Sequence, residues 1–162
     1  MYKRLLIFSL LIVLLDSCSF VKRIFHRSGS SYYSTSEIKN IIKEAKRFKG
    51  VPYRTGGMDK KGMDCSGLLF KAYALNDFSI PRVSTDQVKF GEEIRLKDVQ
   101  LGDWVFFATG KVGLINHVGL VTKDRPAISF IHASTTYGVR EDLLNQKFWL
   151  DRIVKIIRPF KN

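Results

Sequence analysis

The spacing of apolar residues changes character once along this chain, near Leu101, and that change restricts the fold more than any other feature. Before it, Ile38, Ile41, Ile42, Ala45 and Phe48 recur at steps of three and four, which gathers them on one face of a helix. Ser34 and Glu37 are spaced as a capping box, and Gly50 stands where a C-terminal cap belongs. A second helix is predicted beside Cys65, capped by Asp64 and carrying Leu68, Leu69, Ala72 and Tyr73 on its apolar stripe. A third, short one is predicted from Ser84. After Leu101 the runs Trp104–Phe107, His117–Thr122, Ala127–His132 and Ile153–Ile157 are short and β-rich, with Gly110, Gly113, Asp124 and Pro126 between them. Helices followed by strands predict an α+β domain in which helices pack on an antiparallel sheet.

The 162 residues, 45% apolar and 12% aromatic, suffice for one such domain and a short extra. The extra lies at the start, where Lys3 and Arg4 precede a run from Leu5 to Leu15 that is apolar except for Ser9. Eleven helical residues rise only ~16 Å, about half of a bilayer core, so the run is an export signal in type and not a span. Leu15-Asp16-Ser17-Cys18 resembles the lipobox of bacterial lipoproteins, which implies cleavage before Cys18 and diacylglycerol on its sulfur. The expected organisation is a signal peptide over 1–17, a lipid-anchored tether over 18–35 and a single domain over 36–162. His26 falls in the tether and carries no expectation. Of the two cysteines, lipidation of Cys18 leaves Cys65 as an unpaired thiol with no disulfide to explain it. The net charge is +12; removing residues 1–17 takes away Lys3, Arg4 and Asp16 and leaves +11. That balance suits polyanionic surroundings, and for an exported chain the cell wall or a membrane surface fits better than nucleic acid.

Cys65 follows the expected helix cap Asp64. A thiol attacks only as thiolate, and unpaired amides at a helix N-terminus favour that anion and can also hold the oxyanion of an attacked carbonyl. Gly67 leaves room for another segment or a substrate to come close. His117 opens one predicted strand and His132 ends the next. A cysteine nucleophile needs a base, and the base needs a partner that fixes its tautomer; one cysteine and two histidines supply all three parts. The same three residues lack the close-spaced pairs and fourth ligand of a zinc site, so no metal or other cofactor is expected.

Beyond these residues, a series of motifs recurs in a fixed order. Gly50-Val51-Pro52-Tyr53-Arg54 with Gly56-Gly57, Asp64-Cys65-Ser66-Gly67-Leu68, Pro81-Arg82-Val83-Ser84 with Gln87, Leu101-Gly102-Asp103-Trp104-Val105-Phe106-Phe107, His117-Val118-Gly119, and Ile131-His132-Ala133-Ser134 with Gly138-Val139 together resemble the NlpC family of cell-wall peptidases, a circularly rearranged branch of the papain-like cysteine peptidases. The resemblance covers about residues 36–160. It implies a papain-like fold with Cys65 as nucleophile, His117 as base and His132 as the residue orienting it. It also implies Tyr53 beside the oxyanion site, and Asp64, Ser66 and Arg82 along the substrate cleft. Gln100-Leu101 stands where the family usually has a proline before Gly-Asp, which touches a turn and not the chemistry.

The function implied is hydrolysis of a peptidoglycan stem-peptide or cross-link bond next to a D-amino acid, most often D-glutamyl–diaminopimelate, by a monomer held to the membrane through its N-terminal lipid, at the periplasmic face of the outer membrane. Two other readings stay open: an envelope amidase or acyltransferase of the same superfamily, and a non-catalytic wall-binding lipoprotein.

Overall fold

Trp104, Val105, Phe106 and Phe107 are all fully buried, as only a strand covered on both faces allows. They form β5 (Trp104–Phe107), near the middle of a seven-stranded antiparallel sheet. The computed structural model describes residues 31–161. In chain order the elements are β1 (Ser31–Tyr32), α1 (Thr35–Lys46), the ribbon β2 (Met58–Asp59) and β3 (Gly62–Met63), α2 (Cys65–Ala74) and α3 (Ser84–Gln87). They continue with β4 (Gly91–Glu93), β5, β6 (His117–Lys123), β7 (Ser129–Ser134), β8 (Gly138–Leu143), α4 (Lys147–Leu150) and β9 (Ile153–Lys161). The large sheet runs β1-β9-β5-β6-β7-β8, and β4 also pairs with β9.

Strand alternation sorts the apolar side chains into two cores. Trp104, Phe106, Val118, Leu120, Ile131 and Ala133 pack with α1 and α2, where Ile41, Ala45, Leu68, Leu69, Ala72 and Tyr73 supply the facing stripes. Val105, Phe107, Val121, Phe130 and Ile156 face the other way and are covered by Val99, Leu144 and Trp149 of the connecting segments and α4. Two buried polar contacts brace the fold, the first between sheet and helix and the second within the sheet. Trp104 Nε1 donates to the buried Tyr73 hydroxyl at 3.0 Å, and Arg158 on β9 grips the buried carboxylate of Asp103 with two hydrogen bonds of 2.9 and 3.0 Å.

The α+β architecture is the expected one, and Ser34 and Glu37 close the predicted capping box on α1. Several details differ. The helix α1 is capped at its C-terminus by Arg47, and Gly50, expected there, lies three residues further on. Residues 31–35, expected in the tether, belong to the fold: β1 pairs with β9 through Tyr32 and Phe160, and Tyr33 is buried edge-on against Tyr73 and Phe78. The third predicted strand is shifted two residues onward, so His132 lies within β7 and not at its end. β8 was not anticipated, because its run Gly138-Val139-Arg140-Glu141-Asp142-Leu143 is rich in charge and poor in strand formers. Nor was α4, a single turn. The signal peptide, Cys18 and the tether up to residue 30 lie outside the described residues.

Candidate active site

Asp64 begins the site by ending the backbone that precedes it. Its φ of −94° and ψ of 173° are extended, and its side chain accepts from Gly67 N–H, which starts α2 at Cys65. The other carboxylate oxygen accepts from Gly56 N–H at 2.8 Å. Arg82 closes on the same group from α3's side of the molecule, with Nη1 to Oδ1 at 3.0 Å and Nη2 to Oδ2 at 2.7 Å, and it also donates to Ser66 Oγ at 2.9 Å. Burial works against the Asp64 carboxylate, but Arg82 and Gly67 N–H outweigh it and hold the group below the usual carboxylate range. Gln87, fully buried, donates to the carbonyls of Ser66 and Pro81 at 3.1 and 2.9 Å. Asp64, Ser66 and Arg82, expected along the cleft, therefore spend their polar atoms largely on one another and brace the first turn of α2. Gly67 is needed for the same contact: a Cβ there would overlap Gly57 O and crowd Arg82 and Asp64. The close approach anticipated at Gly67 is thus made by the chain itself. Tyr53, half-buried, makes an isolated bridge to Met63, two residues before Cys65.

Cys65 is a free thiol, 7% exposed. Burial pushes its pKa up, opposed by the N–H groups of Val118, Ser66 and Cys65 itself, which point at the sulfur. The expectation that the helix end would lower the thiol's pKa is reversed in this resting arrangement, because desolvation outweighs the amides. The Val118 contact places the sulfur against the backbone of β6, one residue along the chain from His117.

His117 and His132 meet directly. Nε2 of His117 lies 2.9 Å from Nδ1 of His132, with both rings buried. Trp149 on α4 stacks over His117 at 5.9 Å and meets His132 edge-on at 4.9 Å. This enclosure, with the neighbouring His132, drives the pKa of His117 down from 6.5 to about 3. On its far edge His132 Nε2 is 3.1 Å from Oδ2 of Asp142, whose other oxygen takes a 2.6 Å contact from Arg140. Sequence reading found both histidines and missed Asp142, Arg140 and Trp149, which sit on the two elements it did not anticipate. The ring edges of the histidines open into a cavity of about 340 Å³ bordered by Arg140, Asp142, Tyr137, Phe148 and Trp149. Among the described residues no group of three or more His, Cys, Asp or Glu is arranged to hold a metal ion.

The decisive comparison is that residues 50–158 match the NlpC/P60 family. The chain belongs to that family. It is 34% identical to a Haemophilus influenzae protein named probable endopeptidase, over 69% of this chain and 68% of that one. It is 34% identical to the murein DD-endopeptidase MepS/murein LD-carboxypeptidase of Escherichia coli, over 69% of this chain and 57% of that one. It is 44% identical to a γ-D-glutamyl-L-lysine dipeptidyl-peptidase of Bacillus subtilis, over 51% of this chain but 28% of that one. This chain thus spans little more than half, or less, of the latter two. Among solved structures, a Staphylococcus aureus protein of the NLP/P60 family superposes with a TM-score of 0.70 at 29% identity, covering 83% of this chain and 45% of that one. RipD of Mycobacterium tuberculosis, described as a non-catalytic NlpC/p60 protein adapted to peptidoglycan binding, shares the fold at 19% identity and a TM-score of 0.59, over 78% of this chain and 98% of that one. The NlpC/P60 fold alone does not decide activity; the residues at the site must.

Proposed function

We propose that this NlpC/P60 protein is a peptidoglycan endopeptidase in which Cys65 attacks a stem-peptide carbonyl and His117 takes the thiol proton. The observation that carries it is the pairing of His117 with His132 at the start of β6, where Val118 N–H meets the Cys65 sulfur. A wall-binding module has no use for a thiol, a base and an orienting group in one place. The relatives named as murein endopeptidases and as a γ-D-glutamyl dipeptidyl-peptidase support the substrate class. A bond on the carboxyl side of D-glutamate, to diaminopimelate, is the target we favour. Proton transfer from sulfur to His117 and carbonyl attack are coupled, since burial disfavours the charged form of each group; the tetrahedral oxyanion then forms beside the Cys65 and Ser66 N–H groups at the start of α2, with Tyr53 at the same end. His117 returns the proton to the leaving amine, and water releases the acyl group from sulfur.

The test is digestion of purified muropeptides by the full chain, read by mass spectrometry. New fragments from the wild type, absent with Cys65→Ala, support the proposal; intact muropeptides, or cleavage that survives Cys65→Ala, defeat it. His132→Gln should keep measurable turnover and His117→Gln almost none, each checked for folding by circular dichroism. We further propose that Cys18 carries lipid and anchors the protein in the envelope, because of Leu15-Asp16-Ser17-Cys18. Cys18→Ala should then leave the membrane fraction, and unchanged association without a lipid mass shift would refute the anchor.

A further inference from the structure

The arrangement expected from sequence stops at His132, but the hydrogen bonds do not. Both ring nitrogens of His132 are engaged, Nδ1 by His117 at 2.9 Å and Nε2 by Asp142 at 3.1 Å. A carboxylate can only accept. The proton on neutral His132 therefore resides on Nε2, and its Nδ1 presents a lone pair. That lone pair accepts from Nε2–H of His117, which leaves Nδ1 of His117 bare. The one atom in the series able to take a proton from a thiol is set from the far end, by a carboxylate two residues removed from the sulfur in the chain of contacts. Arg140 Nη2, 2.6 Å from the other oxygen of Asp142, fixes which way the carboxylate points. The register of β7 and β8 makes the contact possible, pairing His132 with Arg140 and Phe130 with Asp142.

We propose that Asp142 is a positioning residue of this site, which fixes the tautomers of His132 and His117 in series and balances the positive charge they gain when Cys65 gives up its proton. The proposal rests on the reading of Cys65 and His117 as nucleophile and base. The balance of protons is closed: the thiol proton moves to Nδ1 of His117, Nε2–H remains shared with His132, and no proton passes to Asp142. His132 has only 2% of its side chain exposed and Asp142 12%, so little water is present to do the same work.

Asp142→Asn separates this role from simple support. Arg140 holds the carbonyl oxygen of the new amide, so its NH2 group faces His132 Nε2 and donates. His132 must then carry its proton on Nδ1 and give it to His117 Nε2, which moves the His117 proton onto Nδ1, where the base should be empty. The expected result is a loss of about 10²–10⁴ in kcat on muropeptides, as for misoriented bases elsewhere, with melting little changed and Asp142→Glu recovering part of the loss. The ¹⁵N spectrum of histidine-labelled protein should show both His117 and His132 protonated on Nε2 in the wild type, and on Nδ1 in Asp142→Asn. A folded Asp142→Asn protein with more than a third of wild-type kcat and unchanged tautomers overturns the proposal. So does a wild-type spectrum with His132 protonated on Nδ1, which decides the matter even if the variant does not fold. Failure of the wild type to cut muropeptides would instead sink the peptidase reading, while the spectra still report the tautomers.

Discussion

At the scale of single residues, the site is governed by how little water reaches it. His117, under Trp149 and beside His132, has its pKa lowered to about 3 from an ordinary 6.5, and burial raises that of Cys65. Both shifts run against the charged forms, thiolate and imidazolium. The base therefore keeps its lone pair well into the acid range, and the acidic limb of kcat/KM should lie well under the reference value for histidine, about 6.5. Trp149→Ala admits water to the ring and should bring that limb back toward 6.5; a limb at 6.5 in the wild type would show that the enclosure is open in solution. The stability consequence has a definite sign. The unfolded chain binds a proton at His117 below about 6.5 and the folded chain does not until about 3, so folding weakens as pH falls through that window. Cys65, His117 and His132 are legible in sequence because each is chemically unusual and stands in a motif. Asp142 and Arg140 are not, since a charged residue in an unrecognised strand reads as solvated surface.

At the scale of elements, α2 is held by its first turn. Asp64 caps it, and Arg82 and Ser66 saturate the cap. Arg82→Ala leaves a mostly buried carboxylate without its partner. Removing one member of a fully buried pair costs ~3–5 kcal/mol; Arg82 is a quarter exposed, so ~1–3 kcal/mol is expected after screening, together with a loss of turnover as the thiol moves. Urea unfolding and activity measured on the same preparation check both, and a variant equal to wild type in each would make the network ornamental. Gly67→Ala should be worse, because the opposing atom is the backbone of Gly57 and cannot swing away. The period of the apolar residues revealed α1, α2 and the central strands, whose sides face a core. It did not reveal β8, an edge strand whose outward charges serve contacts distant in sequence, nor β1, two residues long and defined only by its partner.

At the scale of the whole molecule, ion pairs fasten the helical layer to the sheet at both ends of α1. Glu37 takes Lys161 of β9. Glu141 of β8 takes Lys46, Lys49 and the Thr122 hydroxyl. Despite the cost of burial, hydrogen bonds from Lys49, Thr122 and Lys46 hold Glu141 at about 2. A carboxylate lowered in this way stabilises the fold above its unfolded value, near 4.3, and that contribution is lost as pH falls toward 2. Glu141→Gln should lower the melting temperature at pH 7 and converge with wild type at pH 2; a gap that persists in acid would mean packing, not charge. The two cores carry a different consequence. Cys65 belongs to the core on the helical face, while His117 and His132 lie among Phe107, Phe130 and Trp149 on the other. Neither core alone holds all three residues, so the proposed nucleophile and base are brought together only where both faces of the sheet are packed.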